Sequence, residues 1–91
     1  MNPVDRAVVI SPESRFSIHP DGVVFLHLNS GVLFNSNRIG AQIWGGLLNR
    51  ETPAEIVSRI SHDYAVPEER VSRDTAEFIG ELAAEGFVAW C

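Results

Sequence analysis

The side chains best suited to catalysis or metal binding are few and scattered. The three histidines, His19, His27 and His62, fall in separate predicted elements. None recurs with another His or Cys at the short spacing that brings metal ligands together. The single cysteine, Cys91, is the last residue printed, so no interior thiol is present to act as a nucleophile. Serine, histidine and aspartate are all available for a triad on paper. No serine, however, sits in a nucleophile elbow. The seven glycines are dispersed through turns and helix ends rather than gathered into a phosphate loop. These residues imply no catalytic group, no metal and no cofactor, and the chain is expected not to be an enzyme.

Charge is the second chemical resource. Twelve acidic residues stand against seven arginines and no lysine, a net charge of −5. Nucleic-acid binders draw most of their affinity from cations placed on phosphates. A winged-helix DNA-binding regulator is the alternative that short helices beside a β element would suggest. Its reading helix would run from Pro67 to Glu85, which carries Glu68, Glu69, Asp74, Glu77, Glu81 and Glu85 against Arg70 and Arg73 alone. Phosphate repels such a helix, so no nucleic-acid partner is expected.

The third resource is the backbone itself. In "LNSGVLFNSN", Leu28 to Asn37, Asn29-Ser30-Gly31 reads as a hairpin turn and Val32-Leu33-Phe34-Asn35 as a short strand. Ser36 or Asn37 then caps a helix. One flank of that strand can pair with the preceding "VVFLHLN". The other flank is a row of N–H and C=O groups that must be covered or must receive another chain. A structural subunit pairing through this edge is a further alternative.

Around this stretch the elements are legible. "AVVI" and "RFSIH" are separated by a Ser11-to-Ser14 breaker, and in the second Phe16 and Ile18 alternate with Arg15, Ser17 and His19. "HPDGV" is a turn into the strand Val23 to Asn29, so a three-stranded antiparallel meander is expected. The period then changes. Ile39, Ile43, Trp44, Leu47 and Leu48 mark a helix from Asn37 to about Leu48, weakened at Gly45 and Gly46. Thr52-Pro53-Ala54-Glu55 opens a second helix with a capping box, its apolar face formed by Ile56, Val57, Ile60 and Tyr64. Pro67 opens a third, with Val71, Thr75, Phe78 and Leu82 down one face and Gly86 ending it. Phe87 to Trp90 leaves as an apolar tail. Strands before helices make an α+β domain over residues 7–91, preceded by a loose arm at 1–6. No apolar run is long enough to span a membrane, no signal peptide is read at the N-terminus, and the cysteine usage fits the cytoplasm.

Several local signatures resemble the PqqD-like family of RiPP recognition elements. They are Asn37, Gly40, Ile43 and Trp44; the Thr52/Glu55 cap; Tyr64 before Val66-Pro67-Glu68; Asp74 and Phe78; and Leu82 with Gly86-Phe87. The resemblance runs from about Gly22 to Val88. Ser36 departs from the family's usual leucine, and Asn29-Ser30-Gly31 replaces a proline-glutamate pair. The resemblance implies a winged-helix-like α+β fold that binds the leader of a ribosomally made precursor peptide. The leader would add as an antiparallel strand to the third strand, at Val32, Leu33, Phe34 and Asn35. On the third helix Arg73, Asp74, Glu77 and Glu81 would flank it, with Phe78 beneath. It further implies a separate modifying enzyme as partner: a radical-SAM protein, a leader peptidase or a cyclase. No cofactor and no membrane are implied, and a monomer or weak dimer is expected.

Overall fold

β-Branched and aromatic residues recur at Val8–Ile10, Phe16–Ile18 and Val23–Phe25, and turn residues separate these runs at short intervals, so hairpins form before any helix. The computed structural model describes residues 8–90, and the expected arm at 1–6 lies outside them. Strands β1 (Val8–Ile10), β2 (Ser14–His19), β3 (Gly22–His27) and β4 (Leu33–Asn35) come first. Helices α1 (Arg38–Leu48), α2 (Pro53–Tyr64) and α3 (Glu68–Ala84) follow, and strand β5 (Val88–Trp90) closes the order. β2, β3 and β4 form an antiparallel sheet in that order, and the fold is α+β as the sequence implies.

Phe87 to Trp90 is not a free tail. It is β5, paired antiparallel with β1, Ile10 against Val88 and Val8 against Trp90. The end of α3 explains the reversal. Gly86 takes φ +84°, which lets its N–H reach the Ala83 carbonyl while the Phe87 N–H reaches that of Leu82. The Phe87 carbonyl then accepts the Ser11 N–H at 2.9 Å and the buried Ser14 hydroxyl at 2.8 Å.

The inner face of the sheet carries Val23 and Phe25, both almost fully buried. Ile43, Trp44 and Leu47 of α1 pack with them, as do Ile56 and Ile60 of α2, Ile79 and Leu82 of α3, and Phe87. Phe25 is the hub of the aromatic part, edge-on to Trp44 at a centroid distance of 4.7 Å and tilted on Phe87 at 5.5 Å. Gly46, a helix weakener by propensity, is needed where α1 meets α2. A Cβ there would stand 2.6 Å from Ile56 Cγ1.

α2 begins as its sequence implies. Thr52 Oγ1 accepts the Glu55 N–H and Glu55 Oε1 accepts the Thr52 N–H at 2.9 Å. The backbone bond from Thr52, and then its hydroxyl, hold the Glu55 carboxyl below the usual glutamate range. Arg59 ties α2 back to the preceding turn through Glu51 at 2.9 Å and to the Gln42 carbonyl of α1 at 3.3 Å. Tyr64, expected on the apolar face of α2, is exposed. It is the last residue of the helix, and Ala65 turns the chain into the left-handed region immediately after it.

Candidate functional site

The hydrogen-bond ladder decides which groups β4 presents. His27 N–H donates to the Val32 carbonyl, and Ser36 N–H donates to that of Val23. In an antiparallel pair, bonded and non-bonded partners alternate. Phe34 therefore exchanges both its bonds with Phe25, its partner in the register. Leu33 and Asn35 turn their N–H and C=O groups the other way, onto an edge that no strand of the sheet covers. Among the described residues the edge expected from the sequence is uncovered, and its outward residues are Leu33 and Asn35.

Alongside that edge runs a groove of about 430 Å³ between β4, the start of α1 and α3. Its floor is apolar, with Phe34, Ile39, Ile43 and Phe78 lining it. The Phe34 and Phe78 rings tilt on each other at 6.2 Å, and both rest on Phe25, at 6.0 and 6.4 Å. Its rim is charged. Arg70, Asp74, Glu77 and Glu81 project from α3 and are all exposed. Three carboxylates against one guanidinium give this face a negative potential, which attracts basic groups.

Local chemistry at the β4–α1 junction sets the groove's width. Asn37 Oδ1 accepts the Gly40 N–H at 2.9 Å and caps α1. Ser36 makes a second tie to β3: its Oγ accepts the Val23 N–H at 3.0 Å. Gly22 lies against this junction at φ +153°, and a Cβ there would overlap the Ser36 carbonyl. Gly40 lets α1 come down onto the floor. A Cβ at position 40 would stand 2.7 Å from Ser36 Cβ and 3.1 Å from Phe78 Cε1.

Of the residues expected from the sequence, the groove brings together Phe34, Asn35, Asp74, Glu77, Phe78 and Glu81. Val32, Leu33 and Arg73 are not among its lining residues. Val32 precedes β4 and packs half-buried against the core. Leu33 points to the outer face of the sheet, beside Leu26, and is 70% exposed. Arg73 is exposed on α3 and does not line the groove. Arg70 takes the place expected for it. The sequence spacing does not choose between them, because Arg70 precedes Asp74 by four residues and Arg73 precedes Glu77 by four. A second cleft of about 510 Å³ beside β1 and the end of α1 is larger, but it contains none of the expected residues. Among the described residues no group of His, Cys, Asp and Glu is placed to hold a metal ion, and no helix is long and apolar enough to cross a membrane.

A protein-family model described as coenzyme PQQ synthesis protein D (PqqD) matches residues 22–88. The chain belongs to the PqqD family. The matched span runs from the first residue of β3 to the first of β5, and so contains both walls of the groove. Two solved structures resemble this PqqD-family chain closely. One is TbiB1 in complex with the TbiA(beta) leader peptide: 34% identical, TM-score 0.82, covering 88% of this chain and 93% of that one. The other is lasso peptide synthetase B1 complexed with the leader peptide: 25% identical, TM-score 0.82, covering 91% and 98%. No curated protein matches the sequence significantly.

Proposed function

We propose that this PqqD-family chain binds the leader segment of a ribosomally synthesised precursor peptide and presents it to a separate modifying enzyme. The observation that carries the reading is the open β4 edge beside an aromatic-floored groove with an acidic rim. An added antiparallel strand pairs with the outward groups of Leu33 and Asn35, and this supplies affinity whatever the peptide's sequence. Its side chains alternate. Those opposite Phe34 enter the groove over Phe34 and Phe78, with Asp74, Glu77 and Glu81 favouring a basic neighbour. Two relatives of the same fold, crystallised with leader peptides, support the reading.

The chain acts as one domain over residues 7–91 and in the cytoplasm, and it catalyses nothing itself. The groove holds carboxylates and a guanidinium but no nucleophile paired with a base. The enzyme it serves is a radical-SAM protein, a leader peptidase or a cyclase. The test is amide NMR of labelled protein titrated with the TbiA(beta) leader peptide and with the leader peptide of the lasso peptide synthetase B1 complex. Shifts concentrated in Leu33–Asn35 and along Arg70–Glu81 are expected with at least one of them. Shifts confined to α2 or to the β1–β5 ribbon would place the peptide elsewhere and end the proposal.

A further inference from the structure

Among the described residues the sheet has a second uncovered edge, along β2, and nothing in the leader-binding reading uses it. The Leu28 N–H donates to the Glu13 carbonyl, so the bonded pairs continue as Arg15 with Leu26, Ser17 with Val24 and His19 with Gly22. Phe16 and Ile18 therefore turn their N–H and C=O groups outward. The neighbouring outward groups are already satisfied or missing. Ser14 donates its N–H to the Ser11 carbonyl at 3.1 Å, and its own carbonyl accepts Arg15 Nη1 at 2.9 Å. Pro20 has no N–H to offer. Two donors and two acceptors remain, disposed evenly about Ser17.

The side chains repeat that symmetry. Phe16 and Ile18 lie on one face of the strand and are 41% and 58% exposed, although Phe16 leans edge-on against Trp44 at 5.3 Å. We propose that β2 pairs antiparallel with β2 of a second copy of this chain, about a two-fold axis through Ser17. Phe16 then faces Ile18 of the partner subunit and exchanges two hydrogen bonds with it, and the symmetric pair makes two more. Each exposed apolar side chain is covered by the other kind. Either alternative register with the same face inward is worse. A shift one way sets Ile18 against the occupied groups of Ser14, and a shift the other way sets Phe16 against Pro20. The edge is self-complementary in one register only. The product is a continuous six-stranded sheet with a free β4 edge at each end, so one dimer offers two peptide grooves.

The interface is small, and such interfaces associate weakly. Sedimentation velocity of the full chain without peptide is expected to show the mass rising from one chain toward two between about 10 µM and about 1 mM. Ile18→Lys sets a charge against Phe16 of the partner subunit and is expected to return the single-chain mass, whereas Leu33→Lys on the other edge leaves association unchanged. Ser17→Cys in a Cys91→Ser background supplies a readout that does not depend on affinity. Residues on the axis form a non-bonded pair with Cα atoms about 4.5 Å apart, within disulfide range. Mild oxidation should therefore give a covalent dimer. A single-chain mass throughout the range overturns the proposal, as does loss of association in Leu33→Lys but not in Ile18→Lys. Failure of Ser17→Cys to cross-link overturns it as well.

Discussion

The β4 and β2 edges border the same sheet and offer the same inventory: two N–H and two C=O groups, on Leu33 and Asn35 at one edge and on Phe16 and Ile18 at the other. They differ in what lies beside them. Next to β4 stand α3 and the start of α1, which add a floor of Phe34 and Phe78 and a rim of three carboxylates. Beside β2 the described residues form no such groove: Phe16 leans on Trp44 of α1, Ile18 is exposed, and the Arg15 guanidinium folds over the Ser14 carbonyl. Backbone pairing supplies attraction without choice, and side-chain surroundings supply the choice. An edge with a groove beside it can select a foreign peptide, whereas an edge without one offers only its own backbone and side chains to a partner.

The largest test of that contrast is a proline scan of both edges. Leu33→Pro removes an outward donor without touching the β3 ladder, and proline is tolerated at such edge positions. It should weaken leader binding by about 2–4 kcal/mol, for the lost bond and the peptide carbonyl left unpaired. Calorimetry reads this directly. Ile18→Pro makes the same change on β2 and should leave leader affinity within about twofold, since nothing there touches the groove. Equal losses from both would erase the distinction between the edges. Phe34→Pro serves as the control: its N–H belongs to the ladder, so it should damage the fold itself.

A smaller effect is expected at Gly40. Gly40→Ala drives a methyl group into Ser36 Cβ and Phe78 Cε1, where the distances of 2.7 and 3.1 Å leave it no room. Overpacking of this kind costs about 1–3 kcal/mol, to be read from chemical denaturation. Because the displaced ring is the groove floor, leader affinity should fall beyond what stability explains, while β2-mediated association should not change. A variant that loses stability but keeps full affinity would show that the floor is not a recognition surface.

The smallest effect concerns the rim. Glu77→Gln and Glu81→Gln should each cost about 0.2–1 kcal/mol of affinity for a leader with a basic residue near its anchors, the range for exposed charge pairs. The loss should shrink as salt rises. An unchanged affinity at low salt in the double variant would reduce selection to the apolar floor.

Much of this molecule is legible from local chemistry. The Thr52/Glu55 box, the turns at Asp21-Gly22 and Asn29-Ser30-Gly31, and the changes of period from two to three and four specify the meander and the three helices in their observed order. Such signals act within a few residues, where chain connectivity already holds the partners together. Composition likewise removes catalysis and nucleic-acid reading from the expected roles. What the sequence did not reveal depends on separations along the chain. β5 forms because Gly86 aims Phe87 at Ser11 and Ser14, a meeting across most of the chain that no local pattern encodes. Arg70 rather than Arg73 lines the groove because the rotation of α3 is set by how Val71, Ile79 and Leu82 pack. The sequence alone determined the three strands of the meander and the three helices, and that one short strand leaves an edge to be answered. Only the tertiary structure decided which amides face outward, which helix face lies beside them and that β2 is open too, because ladder parity and helix rotation exist only once distant parts of the chain have packed.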